Sequence, residues 1–318
     1  MTYKKTSPEI YKGRSSKEQL YLHEKLICLD FQEEIIKKSP KKTIVLLGYA
    51  CDEGVKRNQG RTGTVSGPDA IRGALGKMPN HLSEGTRFLD VGTIGCLDGD
   101  LEATQTQLCH LVDQLLEKGV FPVLLGGGHD IAYGHFNGIK KHRGPQKAIG
   151  IINFDAHFDL RDTTNGNNSG TPFYQIAQDC KKEGSEFRYF CLGIRQDAND
   201  PVLYKTAEEL QVHYLERHHF QMHYLEHVQL RLIQFIEDVD CLYVTVDLDG
   251  FSTAYAPGVS APSAMGFSPD IVLECLKLII DSRKLISIDF AEMNPAYDID
   301  DRTAKLAASL IHFVIHRY

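Results

Sequence analysis

The stretch AIGIINFDAHFDLR, Ala148 to Arg161, decides how the rest of the chain is read. Its first half is a short apolar run of the kind that forms a strand buried on both faces. Its second half sets Asp155, His157 and Asp159 at every second position just where the apolar run stops. Side chains at i, i+2 and i+4 of an extended chain share one face. The three therefore converge on one point if the strand runs slightly past its sheet.

Two other apolar runs end in the same way. YVTVDLDG brings out Asp247 and Asp249 two residues apart, and PVLLGGGHD brings out His129 after three glycines. Further runs of strand type are KTIVLLGYA, RFLDVG, FRYFCLGIR, VHYLE and LISIDF. Segments of helical period lie between them, near 69–76, 102–118, 130–142, 203–211, 222–238, 268–282 and 301–316. Ser268-Pro269-Asp270 is a good helix start, with a capping residue, a proline at the first helical position and an acid for the dipole. This alternation predicts an α/β fold, a parallel sheet covered by helices on both faces. No linker or charge block divides residues 1–318, so a single domain is expected, with residues 1–40 a polar N-terminal extension. The loop RDTTNGNNSGTP is too polar to pack and long enough to form a functional rim.

Ligands of open α/β sheets gather beyond the carboxyl ends of the strands, so three strands deliver His129, Asp155, His157, Asp159, Asp247 and Asp249 to one rim. Four carboxylates and two imidazoles exceed the needs of a single ion. Without cations, the clustered anions would repel one another strongly. Two divalent metals resolve both difficulties; structural zinc prefers thiolates, whereas a carboxylate-rich set with imidazole suits Mn²⁺ best, with Zn²⁺, Fe²⁺ and Co²⁺ as alternative occupants. Two ions roughly 3.5 to 4 Å apart share a water, lower its pKa and present hydroxide to an electrophilic carbon, which predicts metal-assisted hydrolysis. Taken singly, a histidine such as His129 after a strand is more often a turn residue. Five residues in two alternating groups make coincidence a poor account. GGGHD is not a phosphate loop, because position 131 is Ile; its glycines are expected to allow a tight turn that points His129 inward. The histidines of HYLERHHFQMHYLEH have no completing carboxylate or cysteine pattern and are read as solvated.

The 318 residues carry a formal net charge of -7 and no long basic block, which argues against nucleic-acid or anionic-membrane partners and favours a small-molecule substrate. No apolar run reaches the roughly 18 residues of a membrane span, and MTYKKTSPEI lacks the core of a signal peptide, so a cytoplasmic protein is expected. The eight cysteines are scattered without a C-x-x-C pair, as reduced buried residues would be.

The four motifs GGGHD, DAHFD, VDLDG and SIDFAEMNP together resemble the ureohydrolases, a family of arginases, agmatinases and formimidoylglutamases, over roughly residues 43–316. The resemblance implies a three-layer αβα fold around an eight-stranded parallel sheet, two Mn²⁺ per chain and a homo-oligomer. It assigns one ion to His129, Asp155, Asp159 and Asp247, and the other to Asp155, His157, Asp247 and Asp249. Within the family, DEGVKRNQGRTGTVSGPDAIR and APGVSAP resemble formimidoylglutamases, with YKGR and LHEKL as weaker signs. The D-P dipeptide usual in arginases and agmatinases is absent from DLDGFSTAYAPG. Phe173 stands where arginases carry a histidine after the rim loop's S-G, so a histidine proton shuttle is not expected.

The implied reaction is hydrolysis of N-formimidoyl-L-glutamate to L-glutamate and formamide. Asp159 would hold the nucleophile and pass its proton to the departing nitrogen, and Glu292 would pair with the cationic amidine. The substrate's two carboxylates need cationic or polar partners. Arg161 is the first candidate, with Arg57, Asn58, Arg61 and Arg195 behind it. A guanidino substrate releasing urea is the nearest alternative. A catalytically silent relative is the alternative from another class, disfavoured because all six ligand positions are filled.

Overall fold

The computed structural model describes residues 2–31, 33–34, 36–144 and 146–318. Ten strands form one sheet: β1 Thr2–Lys4, β2 Ile27–Cys28, β3 Thr43–Ala50, β4 Arg87–Gly95, β5 Phe121–Leu125, β6 Ile149–Phe154, β7 Arg188–Ile194, β8 His213–Glu216, β9 Cys241–Asp247 and β10 Leu285–Ala291. Helices α1 Leu22–Lys25, α2 Glu53–Arg57, α3 Gly67–Leu75, α4 Leu101–Glu117 and α5 Ile131–Arg143 precede β6. After it come α6 Pro172–Glu183, α7 Pro201–Glu209, α8 Leu225–Glu237, α9 Pro269–Asp281 and α10 Arg302–Arg317.

All eight expected strands form, and they run parallel in the order β4-β3-β5-β10-β9-β6-β7-β8. Their side chains alternate between two apolar cores. Ile44, Leu46, Ile152 and Phe154 join the residues of α3, α8, α9 and α10 on one face. Val45, Leu47, Ile151 and Tyr243 join those of α4, α5, α6 and α7 on the other. Burial on both faces is why these strands are continuous apolar runs in the sequence.

The sheet has ten strands rather than eight because the N-terminal segment adds two pieces, both on the β4 edge. β1 pairs antiparallel with residues 93–95, and β2 pairs parallel with Leu89 and Asp90. A buried ion pair anchors this polar segment. Arg72 of α3 and Asp90 of β4 are fully buried and bonded through Nε and Oδ2 at 2.7 Å. Asp90 also accepts from Thr6 Oγ1 at 2.7 Å and from the Tyr11 hydroxyl. Helices α1, α2 and α6 are further additions, and α6 begins where the predicted rim loop ends. Pro172 opens it, and Gly184 closes it in the left-handed conformation at φ 68°.

Sequence neighbours β5 and β6 are held apart by β10 and β9. The carboxyl ends of β5, β10, β9 and β6 thus stand side by side, and a crevice opens above them.

Candidate metal centre and active site

Each of those four adjacent strands contributes to the crevice. Asp155 and Asp247 sit at the ends of β6 and β9 and fold the chain locally in the same manner. Asp155 Oδ1 accepts the N–H of His157 at 2.7 Å, and Asp247 Oδ1 accepts the N–H of Asp249 at 2.8 Å. Each aspartate closes a turn over the residue two positions on, which aims both side chains of its pair at the cavity. Phe158 and Leu160 point the other way into the core. The strand itself stops at Phe154, however. Asp159 reaches the site through a left-handed backbone at φ 49° rather than by continued extension. Asn199 ties this turn down, accepting from Phe158 N at 3.0 Å and donating to the carbonyl of Ala156 at 2.8 Å.

Around His129 the three glycines have no positive φ. Space is what they provide. A Cβ on Gly127 would lie 1.9 Å from the carbonyl oxygen of Cys51, and one on Gly126 would lie 2.8 Å from that of Phe290. The tight turn expected from GGGHD is therefore a close crossing of backbones. Glu292 follows β10 in the left-handed region at φ 65° and accepts the His129 N–H on Oε1 at 2.8 Å.

His129 Nδ1 lies 3.2 Å from Asp155 Oδ2, 2.8 Å from Asp159 Oδ2 and 3.0 Å from Asp247 Oδ2. It makes a hydrogen bond to none of them, and Asp249 Oδ1 and Glu292 Oε2 are likewise buried without partners. Three acceptors around one nitrogen exceed what a single N–H can serve; a cation at their centre satisfies all of them. A second group adjoins the first. His157 Nδ1 is 3.4 Å from Asp155 Oδ1 and 3.3 Å from Asp249 Oδ1. The donor atoms of His129, Asp155, Asp159 and Asp247 lie within 4.8 Å of one another, as do those of Asp155, His157 and Asp249.

Electrostatics favours the same conclusion. Burial, then the charges of Asp249 and Asp155, pushes the Asp247 carboxyl well above its usual range. Burial raises Asp249 to about 6. Burial and then Asp247 raise Glu292. Burial also opposes the charge of Asp155, yet the imidazoles of His129 and His157 beside it hold that carboxyl below its usual value. So many acids cannot all ionise in one dry site unless cations join them. Oxygen-rich donors with two imidazoles fit hard or borderline divalent ions.

The cavity above the cluster encloses about 1060 Å³ and is lined by five of the six candidate ligands, together with Glu292, Asn58, Arg57, Arg61 and Arg161. Asp155 lies beneath its floor, fully buried. Arg57 is saturated by Glu53, Glu102 and two backbone carbonyls. The Arg61 guanidinium donates to the carbonyls of Ser260 and Val259, meets no carboxylate among the described residues, and stacks 3.8 Å over the Tyr297 ring. The Arg161 guanidinium has no hydrogen-bond or ionic partner among the described residues, and Asn58 donates to Ser169 at 3.2 Å. Arg195 stands outside this lining, bound at both ends to Asp197. Phe173 is buried edge-on to His129 at 5.4 Å between ring centres, so it closes the wall instead of facing the cavity. The five surface histidines between His213 and His227 are exposed, as expected for solvated residues. All eight cysteines are free.

Sequence reading passed over Asn199, Thr245 and Asp289, each of which supports the site through hydrogen bonds. The only signal for the last two was a polar residue inside an otherwise apolar buried strand.

Fold and site together define an αβα protein whose crevice holds a buried His/Asp cluster able to bind metal ions. The model of the arginase family matches residues 42–316. A formimidoylglutamase of Aeromonas salmonicida (strain A449) is 44% identical over 269 residues, which is 85% of each chain. One from Legionella pneumophila (strain Paris) is 40% identical over 316 residues, 97% of this chain and 96% of its own. The crystal structure of formimidoylglutamase from Bacillus subtilis subsp. subtilis str. 168 shares the fold with a TM-score of 0.81 at 23% identity, covering 96% of this chain and 94% of that one. This chain belongs to the arginase family. No helix among the described residues is long and apolar enough to cross a membrane.

Proposed function

We propose that the chain hydrolyses N-formimidoyl-L-glutamate to L-glutamate and formamide with two Mn²⁺ bound in the crevice. The observation that carries this reading is an orphaned imidazole nitrogen ringed by three carboxylates, beneath two guanidinium groups that lack any carboxylate partner. His129, Asp155, Asp159 and Asp247 would hold one ion; Asp155, His157, Asp247 and Asp249 would hold the other, with Asp155 and Asp247 shared. Bound there, the pair supplies Lewis-acid charge and a water acidic enough to act as a nucleophile near neutral pH.

The protein's own groups direct the rest. Glu292 keeps Oε2 free while Oε1 is held by His129 N–H, and that free oxygen pairs with the amidinium nitrogen of the substrate. Pairing fixes the amidine carbon over the cluster and favours its cationic form. Asp159 takes the proton lost by the attacking water and delivers it to the glutamate nitrogen as the carbon–nitrogen bond breaks. Phe173 at the wall offers no shuttle, so this transfer falls to Asp159. Arg161 and Arg61 receive the two carboxylates, a match that arginine, with one carboxylate, and agmatine, with none, would not make in full. The one continuous sheet supports treating residues 1–318 as a single catalytic domain.

The test is a panel of amidine and guanidine substrates offered to the Mn²⁺-loaded protein. Formamide from N-formimidoyl-L-glutamate is the expected product. Urea from a guanidine, with no turnover of the formimidoyl substrate, would overturn the assignment.

A further inference from the structure

Behind His129, on the side away from the carboxylates, runs a chain of buried polar side chains that the proposed chemistry does not use. His129 Nε2 lies 3.0 Å from Thr245 Oγ1 on β9, and Thr245 Oγ1 donates to Asp289 Oδ1 on β10 at 2.5 Å. The other oxygen of Asp289 receives the Tyr243 hydroxyl and faces His135 Nδ1 of α5 at 2.6 Å. His135 Nε2 in turn lies 2.6 Å from Ser287 Oγ, which donates to the Pro122 carbonyl at 3.0 Å. Every one of these side chains is buried, so no water competes for their protons.

Proton accounting along this chain has one direction. A carboxylate only accepts, and a threonine hydroxyl has a single proton to give. Once Thr245 spends that proton on Asp289, its oxygen can meet His129 Nε2 only as an acceptor. The imidazole must then carry its proton on Nε2, which leaves the lone pair of Nδ1 bare toward Asp155, Asp159 and Asp247. That is the tautomer able to bind a cation through Nδ1. Were Thr245 free to turn, its proton could point at Nε2, and the ring proton would sit on Nδ1 in the middle of the carboxylates. Tyr243 and His135 prevent this by holding Asp289 in place.

We infer that Asp289, acting through Thr245, is a positioning residue that sets His129 in its metal-ligating tautomer. The inference rests on the reading of His129 as a ligand, and its test separates the two. Full-length wild type, Thr245→Val, Thr245→Ser and Asp289→Asn are titrated with Mn²⁺ and followed by electron paramagnetic resonance. Thermal melting checks that each is folded. Wild type is expected to bind two ions with a spin-coupled signal. Thr245→Val keeps the shape and deletes the acceptor. Asp289→Asn places a donor where only acceptors stood. Both should weaken one of the two ions by about 10- to 100-fold, the range for removing an outer partner of a ligand, and give the six-line signal of an isolated ion.

Thr245→Ser keeps the hydroxyl and should stay within about threefold of wild type by the same comparison. A purely structural role would instead weaken both ions together and lower the melting temperature in proportion. Nitrogen-15 spectra of the metal-stripped full chain add a direct readout, with the His129 proton on Nε2 in wild type and Thr245→Ser and displaced in Asp289→Asn. Folded Thr245→Val and Asp289→Asn proteins that bind two Mn²⁺ as tightly as wild type would overturn the inference. Should Asp289→Asn not fold, Thr245→Val alone decides. A wild type that binds no Mn²⁺ pair would overturn the metal-centre reading instead.

Discussion

Replacing Arg161 with alanine should weaken capture of the formimidoyl substrate while leaving the metals in place. Its guanidinium lines the cavity without a hydrogen-bond or ionic partner among the described residues, so the free protein loses no such bond when the group is removed. In the complex it would form charge-assisted hydrogen bonds to a carboxylate, worth roughly 1.5 to 3 kcal/mol where water is excluded. Arg161 is an exposed residue. Solvent screening moves the figure toward the lower end, about 1 to 2 kcal/mol. That corresponds to a loss of about 5- to 30-fold in kcat/KM, carried mainly by KM because the contact exists before and during the reaction. The assay is steady-state formamide release by wild type and Arg161→Ala, on the full substrate and on an N-formimidoyl alkylamine with no carboxylates. The loss should appear on the first substrate and vanish on the second. Equal losses on both, or loss of Mn²⁺ from the variant, would show that Arg161 acts on the site's structure and not on the carboxylate.

Three further outcomes follow from the packing. Asp90→Ala leaves the Arg72 guanidinium buried without its main counter-charge and should cost about 3 to 5 kcal/mol, read by urea denaturation, with the N-terminal strands becoming open to proteolysis. Gly127→Ala drives a methyl to within 1.9 Å of the Cys51 carbonyl and should displace His129, seen as Mn²⁺ stoichiometry falling below two per chain. His316 accepts the His81 N–H on Nε2 at 3.0 Å, and its pKa is held down at about 4 instead of 6.5, first by burial. The unfolded chain therefore binds this proton before the folded one does. Stability from this residue is complete above pH 6.5 and is lost as the pH falls toward 4, by about 1 to 2 kcal/mol once its partial exposure is discounted. His316→Gln should flatten that part of the stability profile measured between pH 7 and pH 4.

The eight core strands were legible because each is buried on both faces and so appears as an unbroken apolar run. β1 and β2 were not, since their polar segment is held by Asp90 and Arg72, partners more than 40 residues distant in sequence from Lys4. Helix α6 carried readable signals in Pro172 and Gly184, but the polar loop before it masked them. The convergence of Asp155, His157, Asp159, Asp247 and Asp249 could be anticipated because turns at two strand ends preserve a spacing of two. The left-handed kinks at Asp159 and Glu292 could not, because they are imposed by tertiary contacts and neither residue type demands them. Arg161 stood ahead of Arg57 and Arg195 only by its place directly after the ligand motif; the pairing state of the three was not legible. What distinguishes them is that Glu102 and Asp197 happen to neutralise the latter two.

The central claim is hydrolysis at the amidine carbon with departure of the glutamate nitrogen. Running the Mn²⁺-loaded protein on N-formimidoyl-L-glutamate in ¹⁸O-labelled water, and weighing both products by mass spectrometry, tests it most directly. One heavy oxygen is expected in formamide, with an unlabelled glutamate. Labelled N-formylglutamate with released ammonia would mean that the other carbon–nitrogen bond breaks, and that outcome would contradict the roles given to Asp159 and Glu292.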